Sequence, residues 1–271
     1  MRSVVTGLFT VVAMICMVVA VPSVWLSQRV VSSDGFASSA AEAATSVEVQ
    51  NYFAEKVAAS VEEATNSKVA SDLVLPAAKN YARSDGFVQD FSEVARQQHD
   101  WLFTAPPPGV DLHLMELDIT PMINRVIASA PIPIPVTIDH PVTVTVDQSQ
   151  ITAGSLEDSG KIIDILSWVT LIGAIVASIL ALIAATRRST VLAWLGVGAI
   201  LAGVAGWVLA ALTKRVVRDR LAETEQAARA TIEVVVGVIA DHLTTVSLFV
   251  CVGGVVVAVA GIVARVATGR R

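Results

Sequence analysis

Apolar positions along this chain come in two textures: unbroken runs at both ends, and periodic stripes between them. Val4 to about Leu26 is the first run, behind Arg2, with Pro22 and Trp25 near its far end. Ile162 to Leu212 holds two more, separated only by Arg187-Arg188-Ser189-Thr190, and Thr245 to Val263 is the fourth. Each approaches or exceeds the roughly 20 residues a helix needs to cross a bilayer. The first run is longer than the ~7–15 apolar residues of a secretory signal, which favours an uncleaved signal anchor. Small residues from Ala37 to Ala44 leave cleavage open. A lipoprotein reading fails, because Met14-Ile15 precede Cys16 where a small residue belongs.

Between the first and second runs the pattern turns periodic. Val49, Phe53, Val57 and Val61 recur every fourth position, predicting a helix from Ser46 to about Thr65 that Asn66-Ser67 ends. Leu73 to Arg83 carries Pro76 and reads as two short pieces. Ser84-Asp85-Gly86 opens a helix to about Phe103, with Phe87, Phe91, Val94, Gln98, Trp101 and Leu102 on its inner side, and Pro106 to Gly109 stop it. Val110, Leu112, Leu114 and Glu116 then alternate with Asp111, His113 and Met115, as one face of a half-buried strand. Thr120-Pro121 places an N-cap before a proline and opens a short helix to about Ser129. Pro131, Pro133 and Pro135 force extended backbone, and Val142, Val144 and Val146 alternate into a second strand.

The expectation is an α-helical membrane protein with four transmembrane helices and an extracytoplasmic α+β domain, helical in its first half and with short β-strands in its second. Residues 1–26 would be the anchor, 27–160 the domain, 161–213 a transmembrane hairpin and 245–271 the last crossing with a basic tail. Residues 214–244, with Val217, Leu221, Ala228, Ile232, Val235 and Ile239 on one stripe, would be an amphipathic extracytoplasmic segment packing on the domain or on headgroups.

Charge sets the orientation. Ser27 to Gly160 carries 7 Lys/Arg against 18 Asp/Glu, a net of −11 in a chain of net −5, so the remainder holds +6. Positive residues flanking membrane helices favour the cytoplasmic side. Arg2, the Arg187-Arg188 pair and Arg265, Arg270 and Arg271 therefore mark the inside, which puts both termini in the cytoplasm and 27–160 outside the inner membrane. Lys214, Arg215, Arg218 and Arg220 oppose this assignment. The acidic domain also argues against nucleic-acid binding, which needs a basic face.

Candidate chemistry adds little. Cys16 and Cys251 both lie in apolar runs, where a small hydrophobe's role suffices. His99, His113, His140 and His242 show no zinc-site spacing, and no nucleophile elbow, phosphate loop or dinucleotide fingerprint is present. His99 is expected at a helix cap or surface. Asp164 lies within a turn of a helix end, where water reaches it, and no span carries a central charge of the kind that marks transport routes. No catalytic residue, metal or cofactor is expected. The distinctive feature of the spans is small residues at every fourth position. Gly173, Ala177, Ala181 and Ala185 line one helix and Gly198, Ala202, Gly206 and Ala210 the next, which lets backbones approach closely. An internal hairpin contact is the expected use, a partner or oligomer face the alternative.

The stretches Phe91-Ser-Glu-Val-Ala-Arg-Gln-Gln-His99 with Trp101, Leu117-Asp-Ile-Thr-Pro-Met-Ile123, and Val142 to Ile151 give the chain a resemblance to a group of actinobacterial envelope membrane proteins without an assigned activity. The resemblance implies an N-terminal anchor, an extracytoplasmic domain and three further membrane helices, and brings no catalytic residues. The resulting expectation is a non-enzymatic envelope protein whose outer domain binds or scaffolds. The alternatives are an accessory subunit of a larger transport, wall-assembly or respiratory complex, and the handling of an envelope lipid or glycolipid. Membrane lipids and a protein partner or second copy in the membrane are the expected company.

Overall fold

A computed structural model of the chain describes residues 2–128, 143–147, 151–220 and 226–269. The Pro131, Pro133 and Pro135 stretch, His140, Leu221, Arg270 and Arg271 lie outside those residues. Among the described residues the chain forms nine α-helices and two short strands. It divides into two compact units, one of residues 1–31, 160–216 and 239–271, the other of residues 32–159 and 217–238.

The first unit holds the apolar helices. Helix α1 (Arg2–Leu26) runs into a π-helical turn (Ser27–Val31), α7 spans Glu157–Ala184, α8 Arg188–Arg220 and α9 Gln226–Gly269. Four stretches are long and apolar enough to cross a membrane: Ser3–Val31, Glu157–Ala184, Arg188–Asp219 and Glu233–Ala267, with mean hydropathies of 2.7, 2.4, 2.2 and 2.7. Large side chains such as Ile15, Trp168, Ile179, Trp207, Phe249 and Val256 point outward on these helices, as lipid contact requires. These features identify a multi-pass membrane protein.

Residues 214–220 continue α8 and residues 226–244 open α9. Gly253-Gly254 lies inside α9 without a break, since helical hydrogen bonds shielded from water tolerate glycine.

The second unit is built on α2 (Ser33–Ala44), α3 (Val47–Thr65), α4 (Lys68–Ala82) and α5 (Asp85–Phe103). A serine caps each of them: the hydroxyls of Ser32, Ser46, Ser67 and Ser84 accept from the N–H groups of Gly35, Val49, Ala70 and Phe87, each at 3.3 Å. Asn66 closes α3 in the left-handed conformation at φ 47°, which asparagine tolerates better than most residues. Helix α4 is continuous through Pro76, against the expected two pieces. Pro76 and Asp72, whose carbonyl loses its partner, are both exposed, so water can take that bond.

The core joins Val49, Tyr81, Phe87 and Met122, with Phe53, Phe91, Val234 and Val235 packed against it. Phe87 is its hub, with ring centroids 4.8 Å from Phe53, 5.7 Å from Tyr81 and 5.5 Å from Phe91. Offset and edge-on rings at such distances add to simple burial. Val235, on the stripe expected along 214–244, thus serves this core.

The described β-structure is one antiparallel pair, β1 (Leu114–Asp118) with β2 (Thr143–Asp147), Leu114 opposite Asp147 and Asp118 opposite Thr143. The phase of β1 is the reverse of the expected one. Met115 is buried and Leu117 half-buried, whereas Val110, Leu112 and Leu114 are exposed. The indole N–H of Trp101 on α5 donates to the Leu114 carbonyl at 3.1 Å, which holds the strand in this register. The chain then returns to the end of α5 through Gly154, whose φ of +71° and 2.8 Å approach to Pro106 (measured from where a Cβ would lie) leave room for glycine alone.

Candidate functional site

The stripe that begins α3 continues past the core. Val49 is buried under the aromatic cluster, but Val57 and Val61, two and three turns on, are only half-buried. Facing them is α6 (Thr120–Ala128), a short helix with Met122 in the core and Ile123, Val126 and Ile127 on the adjoining face. Two features aim α6. The Asp118 carboxylate accepts from the backbone N–H of Thr120 at 2.9 Å and from its hydroxyl at 2.6 Å, and these bonds hold its carboxyl below the usual range. Thr120 is therefore the first helical residue, with its amide capped by Asp118. On the opposite side of α6, the Arg125 guanidinium reaches the buried Asp90 carboxylate at 3.2 Å. Asp90 also accepts from the Tyr81 hydroxyl at 2.7 Å, so one carboxylate ties α4, α5 and α6 together.

The result is an apolar groove of about 600 Å³ walled by α3, α4, β1 and α6. Phe53, Val57, Val61, Val74, Leu117, Ile119, Met122, Ile123, Val126 and Ile127 line it, and Lys56 and Ser60 are the polar residues of its wall. Lys56 is exposed, with its ammonium 5.4 Å from the Tyr52 ring centroid. Ligand pockets commonly measure roughly 300–1,000 Å³ and are mainly apolar with a few polar groups.

His99 is buried rather than at a cap or surface, stacked on Phe103 at 4.5 Å and tilted against Phe36 at 5.6 Å. Among the described residues no three His, Cys, Asp or Glu gather as metal ligands. In the other unit, Asp164 accepts from the Ser27 hydroxyl at 2.8 Å.

The small-residue stripes pack as follows. Ala177 and Ala181 of α7 are buried with Ala13 of α1 and with Val191 and Leu195 of α8, and Ala185 lies beside them. A Cβ built at Gly173 would meet Cys16, one at Gly198 would come 2.6 Å from Met14, and one at Gly206 would meet Ser247 and Val21. Ala202 and Ala210 are buried. These faces meet α1 and α9 as much as each other. A second stripe is tighter still. A Cβ at Gly196 would lie 2.6 Å from the Gly254 carbonyl oxygen, and one at Gly261 2.8 Å from the Ser189 carbonyl oxygen, so α8 and α9 touch backbone to backbone. Of the topology-marking residues, Arg187, Arg188 and Arg265 are exposed, and Arg265 shares one surface groove with Thr190 of α8.

Sequence reasoning missed the groove because half of its wall, Ile119 to Ile127, is too short for a readable period. The available signal was the 119, 122, 123, 126, 127 spacing, which is that of one helix face. No protein-family model, curated protein or solved structure matches the chain.

Proposed function

We propose that the chain is a non-enzymatic membrane protein of an actinobacterial-type cell envelope whose domain outside the inner membrane binds the acyl chain of an envelope lipid. The observation that carries this reading is the groove between α3 and α6. Its wall is mainly branched aliphatic side chains, with Phe53 and Met122, which recognise a chain by shape and apolar burial rather than by a hydrogen-bond code. Lys56 on its wall supplies one cation for an acidic end group. A flat apolar patch would suit a protein partner, whereas a groove of about 600 Å³ suits a flexible chain. Among the described residues of the wall, Lys56 is the one titratable group.

The test is photolabelling of the full-length protein in membranes with a fatty acid carrying a diazirine near its middle. Cross-linked peptides are expected within residues 53–61 and 117–127. The double substitution Val57→Trp with Val126→Trp fills the groove and is expected to remove that label while leaving labels on the membrane helices. Labels confined to the membrane helices of the unsubstituted protein would refute the reading.

A further inference from the structure

A second cavity lies within the helix bundle and has a different chemistry. It measures about 200 Å³ and is walled by Ala20, Val21, Val24 and Trp25 of α1, Gln28 and Arg29 of the π-helical turn, Leu171 of α7, and His242 and Val246 of α9. Its floor is aliphatic and its polar end is made of donors. Arg29 Nη2 lies 2.6 Å from His242 Nε2. A guanidinium can only donate, so Nε2 accepts, the imidazole is neutral, and its proton sits on Nδ1. The Trp25 indole N–H is buried beside them with no acceptor, and a buried donor left unpaired forfeits the hydration it had in water.

Charge is out of balance in the same way. Two carboxylates of the same unit are engaged elsewhere, Asp164 accepting from Ser27 and Asp241 from Lys214 at 2.6 Å. Among the described residues no carboxylate stands within ion-pair distance of Arg29, so its charge faces a neutral ring. The turn that presents Arg29 is π-helical (Ser27–Val31), a local widening that recurs at functional sites.

We propose that this cavity binds the phosphodiester headgroup of an anionic phospholipid. Phosphate oxygens would take the free N–H groups of Arg29 and the indole N–H of Trp25, and the first carbons of the acyl chain would lie along Val21, Val24, Leu171 and Val246. Arginine presents a planar fork suited to phosphate, and tryptophan with arginine is the pairing that anchors proteins at a headgroup layer. An apolar cavity of about 150 Å³ already admits benzene, so this space fits a headgroup with the start of a chain while the rest of the lipid stays in the bilayer. The site is independent of the groove between α3 and α6 and stands if that reading fails.

The experiment is a thermal melt of the full-length protein in a neutral maltoside detergent, titrated in turn with phosphatidylglycerol, phosphatidylcholine, diacylglycerol and inorganic phosphate. Phosphatidylglycerol is expected to raise the melting temperature saturably, and the other three are expected to have much weaker effects. Arg29→Gln is expected to weaken the phosphatidylglycerol response roughly tenfold to hundredfold, the range for losing a hydrogen-bonded charge. Lys214→Gln removes the same charge outside the cavity and is expected to keep the response. Leu171→Trp fills the apolar floor without changing charge, so it tests the site even where Arg29→Gln folds poorly, and it is expected to abolish the response. Equal shifts from phosphatidylcholine or diacylglycerol, or an undiminished response in Leu171→Trp, would overturn the proposal. A shift reproduced by inorganic phosphate alone would overturn the lipid assignment, leaving a simple anion site.

Discussion

Tyr81, Asp90 and Arg125 are nine and thirty-five residues apart in the chain, yet they meet in one hydrogen-bonded set under the α6 wall of the groove. Burial, with the hydrogen bond to Asp90 second, pushes the Tyr81 phenol well above its ordinary value of 10.0. The native state therefore keeps a proton that the unfolded chain releases near pH 10. Below pH 10 both states hold it and the contribution is complete; above pH 10 the native state binds more protons, so stability falls as pH rises. Melting temperatures measured from pH 8 to pH 11 are expected to decline above pH 10, and Tyr81→Phe is expected to flatten that decline while lowering stability at pH 8. An unchanged alkaline slope in Tyr81→Phe would show that other groups carry it. None of this set was visible in the sequence, because a network between helices has no period. The phase of β1 was misjudged for a related reason: Leu114 and Met115 are both apolar, and the Trp101 indole decides which of them turns inward.

Elements were legible where one local rule suffices. The four apolar helices follow from length and hydropathy, and α5 begins where Ser84-Asp85-Gly86 indicated, because a serine hydroxyl aimed at the third amide is a local event. Helix α2 was not foreseen, since Ser33 to Ala44 is mostly alanine and serine and has no stripe, although Ser32 caps it just as Ser84 caps α5. The continuity of α4 through Pro76 depends on which side of the helix faces water, again a tertiary matter. Contact between α8 and α9 makes the sharpest statement at this scale. Gly253 and Gly254 are neighbours in α9, but a Cβ at Gly253 meets nothing within 4 Å while one at Gly254 lies 2.8 Å from both the Gly196 carbonyl oxygen and the Ile200 amide. Gly254→Leu must push the two helix backbones away from each other, at a cost of about 1–3 kcal/mol or more. Gly253→Leu projects into open space beside the bundle and is expected to be neutral or mildly stabilising, as glycine is a weak helix former. Thermal melts of the two variants in one detergent test this pair, and equal destabilisation would mean that α8 and α9 pack on another face.

The arrangement of charge over the whole molecule bears on orientation. The α7–α8 turn is short, from Ala184 to Arg188, and presents Arg187 and Arg188 to solvent. Arg265 of α9 belongs to the same end of the bundle, because Gly261 packs against Ser189 and Arg265 shares a groove with Thr190. At the other end Lys214 is paired with Asp241, so some of the positive charge that opposes the orientation is neutralised locally. Arginine clusters in short loops weigh most in setting topology, and the orientation they predict has the Arg187 end in the cytoplasm and residues 27–160 outside. Single cysteines test this in intact cells, with Cys16 and Cys251 first replaced by alanine. Glu63 and Arg187 are suitable positions since both are exposed. Ser84 and Ser189 are poorer choices, the first because its hydroxyl caps α5 and the second because α9 packs on its carbonyl. Glu63→Cys is expected to react with an impermeant maleimide and Arg187→Cys only after the membrane is opened. Labelling of both from outside would break the four-crossing arrangement. The reverse pattern would keep four crossings and turn the molecule over, which would move the groove between α3 and α6 to the cytoplasm and take the proposed envelope ligand out of its reach.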